Sequence, residues 1–209
     1  MKKNILAVSA LVLLGACSSG DKISKKEVKK SISQIYKDEP ICLRIRLALD
    51  DSEIIPNYRF GDQQIKIKYK DIDGKKVNKS AVEQMNILKK QGYYEEAGTE
   101  KIKLQDNIST TYKVWNITDK GTQYFNGGSA VCVGHFEFSD LLYYSIPATS
   151  LGRQVSHVTY TVEPKIDRWA KPFLKITDKN YEKYLGKEQE KSATFYLTNK
   201  GWKILRGNI

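Results

Sequence analysis

The first seventeen residues constrain this chain more than any other stretch. Met1-Lys2-Lys3-Asn4 is a short basic segment, Ile5 to Leu14 is an apolar run of about ten residues, and small residues follow up to Cys17. A bilayer span needs roughly 20 apolar residues, so the run is too short to cross. Basic, then apolar, then small is the layout of a secretory leader, which is cut off and takes no part in the fold.

The tetrapeptide Leu14-Gly15-Ala16-Cys17 resembles the lipobox of bacterial lipoproteins. The resemblance implies that residues 1–16 are removed, that Cys17 is lipidated and becomes the first mature residue, and that its acyl chains hold the protein stably at a membrane. Ser18 follows the cysteine, not Asp. In Gram-negative lipoproteins an Asp there commonly retains the protein in the inner membrane, so the resemblance implies the periplasmic face of the outer membrane. Removing residues 1–16 leaves 193 of 209 residues and, with Lys2 and Lys3 gone, lowers the net charge from +11 to about +9.

A basic chain invites a nucleic-acid reading, but a lipid-anchored envelope protein never meets the chromosome. Its charge favours acidic partners instead: an acidic protein or an anionic polymer of the envelope, such as lipopolysaccharide phosphates or peptidoglycan carboxylates. Lysines outnumber arginines 29 to 6. Lysine is the strongly hydrated, less bidentate cation, so diffuse attraction suits this composition better than precise phosphate recognition.

Two cysteines remain after lipidation, Cys42 and Cys132, in a compartment that is oxidising if the cell is Gram-negative. One pair has one connectivity, and closing a loop of about 90 residues contributes roughly 4 kcal/mol by chain-entropy reasoning. The alternative is two separate buried thiols packing as small hydrophobes.

At 40% hydrophobic and 28% charged, the composition is that of a globular protein, and its patterning predicts an α+β fold with antiparallel sheets and a few helices. Four segments are expected: the leader 1–16; the lipidated cysteine, tether and amphipathic helix over 17–37; a first α+β unit over 38–126; and a second, β-rich unit over 127–209 packed with it. Ile23, Val28, Ile32 and Ile35 recur at helical spacing and stop before Pro40. Ile41 to Leu49 alternates as a strand, as does Ile65 to Tyr69, and Asp73-Gly74 marks a turn. Ala81, Val82, Met85 and Leu88 predict a helix over Lys79 to Gln91 that Gly92 ends, and Arg153 to Val162 is the clearest strand, with Val158, Tyr160 and Val162 inward and His157, Thr159 and Thr161 on a polar outer face.

Two segments share one frame. Trp115, Ile117, Thr118, Asp119, Lys120 and Gly121 correspond to Phe195, Leu197, Thr198, Asn199, Lys200 and Gly201. This suggests two similar helix-strand-turn units. The first copy, over 79–125, resembles the end of winged-helix domains, where an apolar strand, a capping Thr and a Lys-Gly pair open the last helix. Thr118 would then accept backbone N–H bonds. No separate recognition helix with base-reading residues precedes it, so the resemblance implies a scaffold and no nucleic acid.

Asp167-Arg168-Trp169-Ala170-Lys171-Pro172-Phe173 sets a Trp and a Phe around a proline, and it reads as an aromatic loop. Trp and Arg are enriched at binding hot spots, so Arg168, Trp169 and Phe173, with His157, are the candidate partner-binding residues. Tyr143, Tyr144, Tyr181 and Tyr184 would widen the patch. His135 and Glu137 fall on one side of a strand, where they could act as acid and base, but no third metal ligand can be named. Asp51, Glu53, Asp62, Asp71 and Asp73 do not form a calcium loop.

No nucleophile elbow, zincin motif, phosphate loop or Ser-x-x-Lys set occurs. The sequence therefore predicts a non-enzymatic lipoprotein that binds an acidic partner or serves the envelope structurally, with no metal and no cofactor. One alternative is an inhibitor or immunity lipoprotein against a periplasmic toxin or hydrolase. The other is a cell-wall hydrolase using Glu137 or His135.

Overall fold

The computed structural model describes residues 22–50, 58–105 and 108–205. The leader, Cys17, Asp51, Glu53 and Pro56 lie outside them. The order is α1 (Lys25–Asp38), β1 (Pro40–Arg44), β2 (Gln64–Lys70), α2 (Lys79–Lys90), β3 (Tyr94–Gln105), β4 (Ile108–Ile117), α3 (Asp119–Phe125), β5 (Ala130–Tyr144), β6 (Ala148–Ser150), β7 (Arg153–Ile166), α4 (Ala170–Thr177), α5 (Tyr181–Leu185), β8 (Gln189–Thr198) and β9 (Gly201–Ile204). A large sheet runs β1-β5-β7-β8-β9, with β6 beside β7, and a small sheet runs β2-β4-β3. Every strand pair is antiparallel, so the fold is α+β.

α1 begins with a full set of local signals. Ser24 caps it, Glu27 returns the bond in a capping box, and Ile23 and Val28, on either side of the first turn, are buried together as a hydrophobic staple. Its apolar stripe of Val28, Ile32 and Tyr36 lies on Phe138, Val158, Tyr160, Val162, Ala193, Phe195 and Trp202 of the large sheet. Lys25, Lys26, Lys29 and Lys30 stay exposed. The inward set expected of β7 is found, and His157 is exposed, but Thr159 and Thr161 on the polar face are buried too. Thr159 meets Ser192 across the ladder at 3.3 Å between hydroxyls.

A second core joins α2, α4, the small sheet and the start of β5, with Trp115, Met85, Leu88, Phe60, Phe173, Val131 and Val133 inside it. α2 ends as expected: Gly92 N–H bonds the Lys89 carbonyl and Tyr93 N–H bonds that of Leu88, the paired bonds of a Schellman motif.

The expected strand Ile41–Leu49 is paired only as far as Arg44, although its apolar side faces the core throughout. Beyond Arg44 two buried amides take over the backbone. Gln84 accepts from Ala48 N–H at 2.8 Å and donates to the Arg46 carbonyl, while Asn78 accepts from Asp50 N–H at 2.8 Å. β3, a polar stretch in the sequence, is a twelve-residue strand of the small sheet. The apolar run Leu141–Ile146 is largely the end of β5.

Cys42 and Cys132 sit opposite one another on β1 and β5 and are joined by a disulfide across 90 residues. β1 pairs with β5, and residues on both sides of position 126 share one core.

The shared frame splits. Thr118 caps α3, accepting from Gly121 N–H at 3.0 Å, and a Cβ on Gly121 would lie 2.0 Å from the Tyr93 carbonyl oxygen. Thr198 instead ends β8 at a hairpin: it donates to the Gly201 carbonyl at 2.6 Å, and Gly201 adopts φ 86. The same glycine is needed for close packing in one copy and for a left-handed turn in the other.

Candidate functional site

The aromatic segment is a turn over residues 167–169 that leads straight into the first turn of α4, rather than a loop throughout. Arg168 is exposed and Trp169 half-buried, but Phe173 is fully buried against Phe60, with ring centroids 5.5 Å apart. Phe173 thus fills the core and does not face a partner. Tyr181 is buried as well, and Tyr143 and Tyr144 lie at the far end of β5. His157 sits on β7 and bonds Thr194 through Nδ1 at 3.0 Å, away from α4.

Trp169 has other neighbours. Its ring lies edge-on to Tyr93, centroids 6.0 Å apart, and Tyr93 stacks on Tyr124 at 4.0 Å. Lys120 sits 5.0 Å from the Tyr93 ring centroid and donates to the Gln91 carbonyl at 2.7 Å. Three half-buried rings from the end of α2, α3 and the start of α4 therefore make one surface, with Lys120 and Arg168 exposed beside it. The sequence named Trp169 and Arg168 and missed Tyr93 and Tyr124. The Lys-Gly pair that opens α3 was visible, but its contact with the Tyr93-bearing turn joins segments about 27 residues apart.

Electrostatics make the cluster a neutral aromatic floor. Burial, with the charge of Asp167 adding to it, raises the Tyr93 hydroxyl above its ordinary value. Burial raises Tyr124 as well, followed by its neighbours Tyr93 and Asp167, against the lowering effect of the Cys132 backbone bond. Rings so placed can stack on planar or sugar-ring groups, and Lys120 and Arg168 beside them can meet an anionic group.

The His135–Glu137 pair forms as expected, with Nε2 3.5 Å from Oε1, and Lys165 lies 4.0 Å from the other oxygen. It lines a shallow groove of about 500 Å³ with Lys29, Lys37 and Asp167. The carboxylate lies beside the His135 ring and Lys165 and is open to solvent. Among the described residues no three His, Cys, Asp or Glu side chains gather as a metal site. Asp62 and Asp71 spend their carboxylates on local turn amides, accepting from Arg59, Asp73 and Lys75 N–H groups.

The fold and this surface define an α+β protein with an aromatic, cation-bordered face, and no described helix is long and apolar enough to cross a membrane. Compared with protein-family models, curated proteins and solved structures, the chain matches none.

Proposed function

We propose that this is a lipid-anchored, periplasm-facing envelope protein, non-enzymatic, that binds an acidic partner through the Tyr93–Tyr124–Trp169 surface. The observation that carries the binding reading is that cluster itself: three rings held half-open by α3 and α4, with Lys120 over one and Arg168 adjoining another. Tyr, Trp and Arg are the side chains that dominate binding energies, and a rigid aromatic surface loses little entropy on contact. The Cys42–Cys132 disulfide supports a location outside the reducing cytoplasm. Localisation at the outer membrane rests on the lipobox and on Ser18.

The test is capture from envelope extract and binding to purified sacculi by the mature protein and by Trp169→Ala, with folding of the variant checked by urea titration. Loss of a hot-spot tryptophan should weaken binding at least tenfold. One saturable acidic protein partner would favour the inhibitor or immunity role, and binding to sacculi without turnover the structural role. Equal binding by the variant would sink the assignment of this surface. Peptidoglycan fragments released by the wild type but not by Glu137→Gln would replace it with the hydrolase reading.

A further inference from the structure

The arm made by the end of β5, by β6 and by the start of β7 runs beyond the core. Leu142, Tyr143 and Tyr144 are successive and all exposed; Ile146 is 89% exposed and Leu151 100%. Successive strand residues point to opposite faces, so both faces of the β5 end are bare at Leu142, Tyr143 and Tyr144, whereas Ser156 and Val158 of the neighbouring β7 stay buried. Leu151 also has φ 49, in the two-residue turn between the paired Ser150 and Arg153. A bulky side chain is strained there, where such turns favour asparagine, and its full exposure leaves no packing to offset the strain.

The N-terminal tether leaves from the same end. The ion pair between Lys25 and Asp140 puts the first turn of α1 beside the middle of β5, and the last turn leads into Pro40, which pairs with His135. β5 runs from His135 through Asp140 to the arm, so the start of α1 faces the arm tip. From Cys17 to Ser24 the chain can reach about 25 Å. From Asp140 to Ile146 the arm covers about 20 Å. A bilayer holding acyl chains on Cys17 is thus within reach of the tip. Lys22, Lys26 and Arg153 are exposed at this end and match an anionic headgroup layer.

We propose that the arm tip dips into the interface of the bilayer that anchors Cys17, with Ile146 and Leu151 leading and Tyr143 and Tyr144 at headgroup depth. This rests on the lipoprotein reading above. The arm then fixes the orientation of the body. The Trp169 surface, beside the start of β5, is held about 45 Å from the tip, facing away from the membrane.

The test uses the lipidated mature protein in vesicles of phosphatidylethanolamine and phosphatidylglycerol. Thr149→Cys on the arm, or Glu83→Cys on the exposed side of α2, carries an environment-sensitive fluorophore. The native cysteines are acylated or bonded, so the label goes to the new thiol. Lipids brominated near the headgroup should quench the arm label several-fold more than the α2 label. Adding Ile146→Asn and Leu151→Asn should remove the difference while leaving the urea midpoint at or above that of the wild type. Equal quenching at both sites overturns the proposal. So does a blue shift of the arm label that grows with protein density without quenching, since a second copy would then cover the tip. If mass spectrometry finds Cys17 unacylated, the lipoprotein reading fails, and cosedimentation of that same chain with these vesicles judges the arm separately. Binding lost in the double asparagine variant supports it, and no binding overturns it.

Discussion

The hydroxyl of Tyr124 donates to the carbonyl oxygen of Cys132 at 2.8 Å and accepts from the N–H of the same residue at 2.7 Å. The β7 ladder reaches β5 only at Gly134, so among the described residues no strand lies beside one edge of Cys132. A side chain from α3 takes the place of that strand. Tyr124 thereby ties the aromatic surface to the disulfide-bearing start of β5. Tyr124→Phe keeps the ring stack but leaves both backbone groups of Cys132 without this partner. A loss of about 1–3 kcal/mol is expected in urea-induced unfolding, with an unchanged m-value.

Two buried tyrosines, Tyr94 and Tyr160, and the half-buried Tyr124 make the fold sensitive to alkali. Burial pushes Tyr94 up to about 12 and raises Tyr124 and Tyr160 further, from an ordinary value near 10. For a group raised in the folded state the favourable contribution is complete below the unfolded value and is lost as pH rises toward the folded one. Stability should therefore hold to about pH 10 and fall above it. Tyr94→Phe should lower stability at neutral pH, because Gly61 N–H loses its acceptor, and should flatten the alkaline slope. Unfolding curves from pH 8 to 12 read both effects, and an unchanged slope would count against this account.

Glu27 joins the start of α1 to the last strand. One carboxylate oxygen accepts from Ser24 N–H and Oγ, and the other accepts from Trp202 N–H at 3.3 Å across 175 residues. Burial opposes ionisation, but the Ser24 and Trp202 bonds outweigh it and hold the carboxyl below the usual range. A group lowered on folding contributes stability above its unfolded value, near 4.3, that disappears as pH falls through the folded one. Glu27→Gln should therefore be less stable than the wild type at pH 6, with the gap narrowing toward pH 3. Thermal midpoints across that range measure it.

The cross-strand disulfide is expected to act mainly on the unfolded chain. Reduction, or Cys42→Ser with Cys132→Ser, should cost at most about 5 kcal/mol. Far-UV circular dichroism at neutral pH should keep its native shape, because the β1–β5 ladder and the Tyr124 bonds persist without it. Loss of native secondary structure on reduction would show that the bond, not the ladder, holds β1.

Elements whose signals lie within one or two turns were legible from the residues. α1 has its apolar spacing from Ile23 to Ile35 and its stop before Pro40, α2 its stripe and its terminal Gly92, and α3 its Thr118. The alternation of Ile65, Ile67 and Tyr69 named the buried side of β2, and that of Val158, Tyr160 and Val162 named one face of β7, whose other face is buried at Thr159 and Thr161 as well. β3 was not legible because the small sheet buries little of it, and a strand without an apolar face looks like a loop.

The candidate surface was half legible. Trp169 and Arg168 stood out by chemistry, whereas Phe173, equally conspicuous, belongs to the core, and only the packing of α4 on Phe60 separates them. Tyr93 and Tyr124 carry no local mark. They join Trp169 because Gly121 lets α3 approach the turn after α2.

By itself, the sequence determined the α+β class, the ends of α2 and α3 at Gly92 and Thr118, the apolar faces of α1, α2 and β2, and the one possible cystine pair, since each depends on residues close in the chain or on counting. Only the tertiary structure decided that β1 stops at Arg44, that one Thr-x-Lys-Gly frame opens a helix while its copy turns a hairpin, and that the arm stands clear of the core. Those outcomes depend on which distant surface covers a segment, and a local pattern can state that a face is apolar without stating what will lie against it.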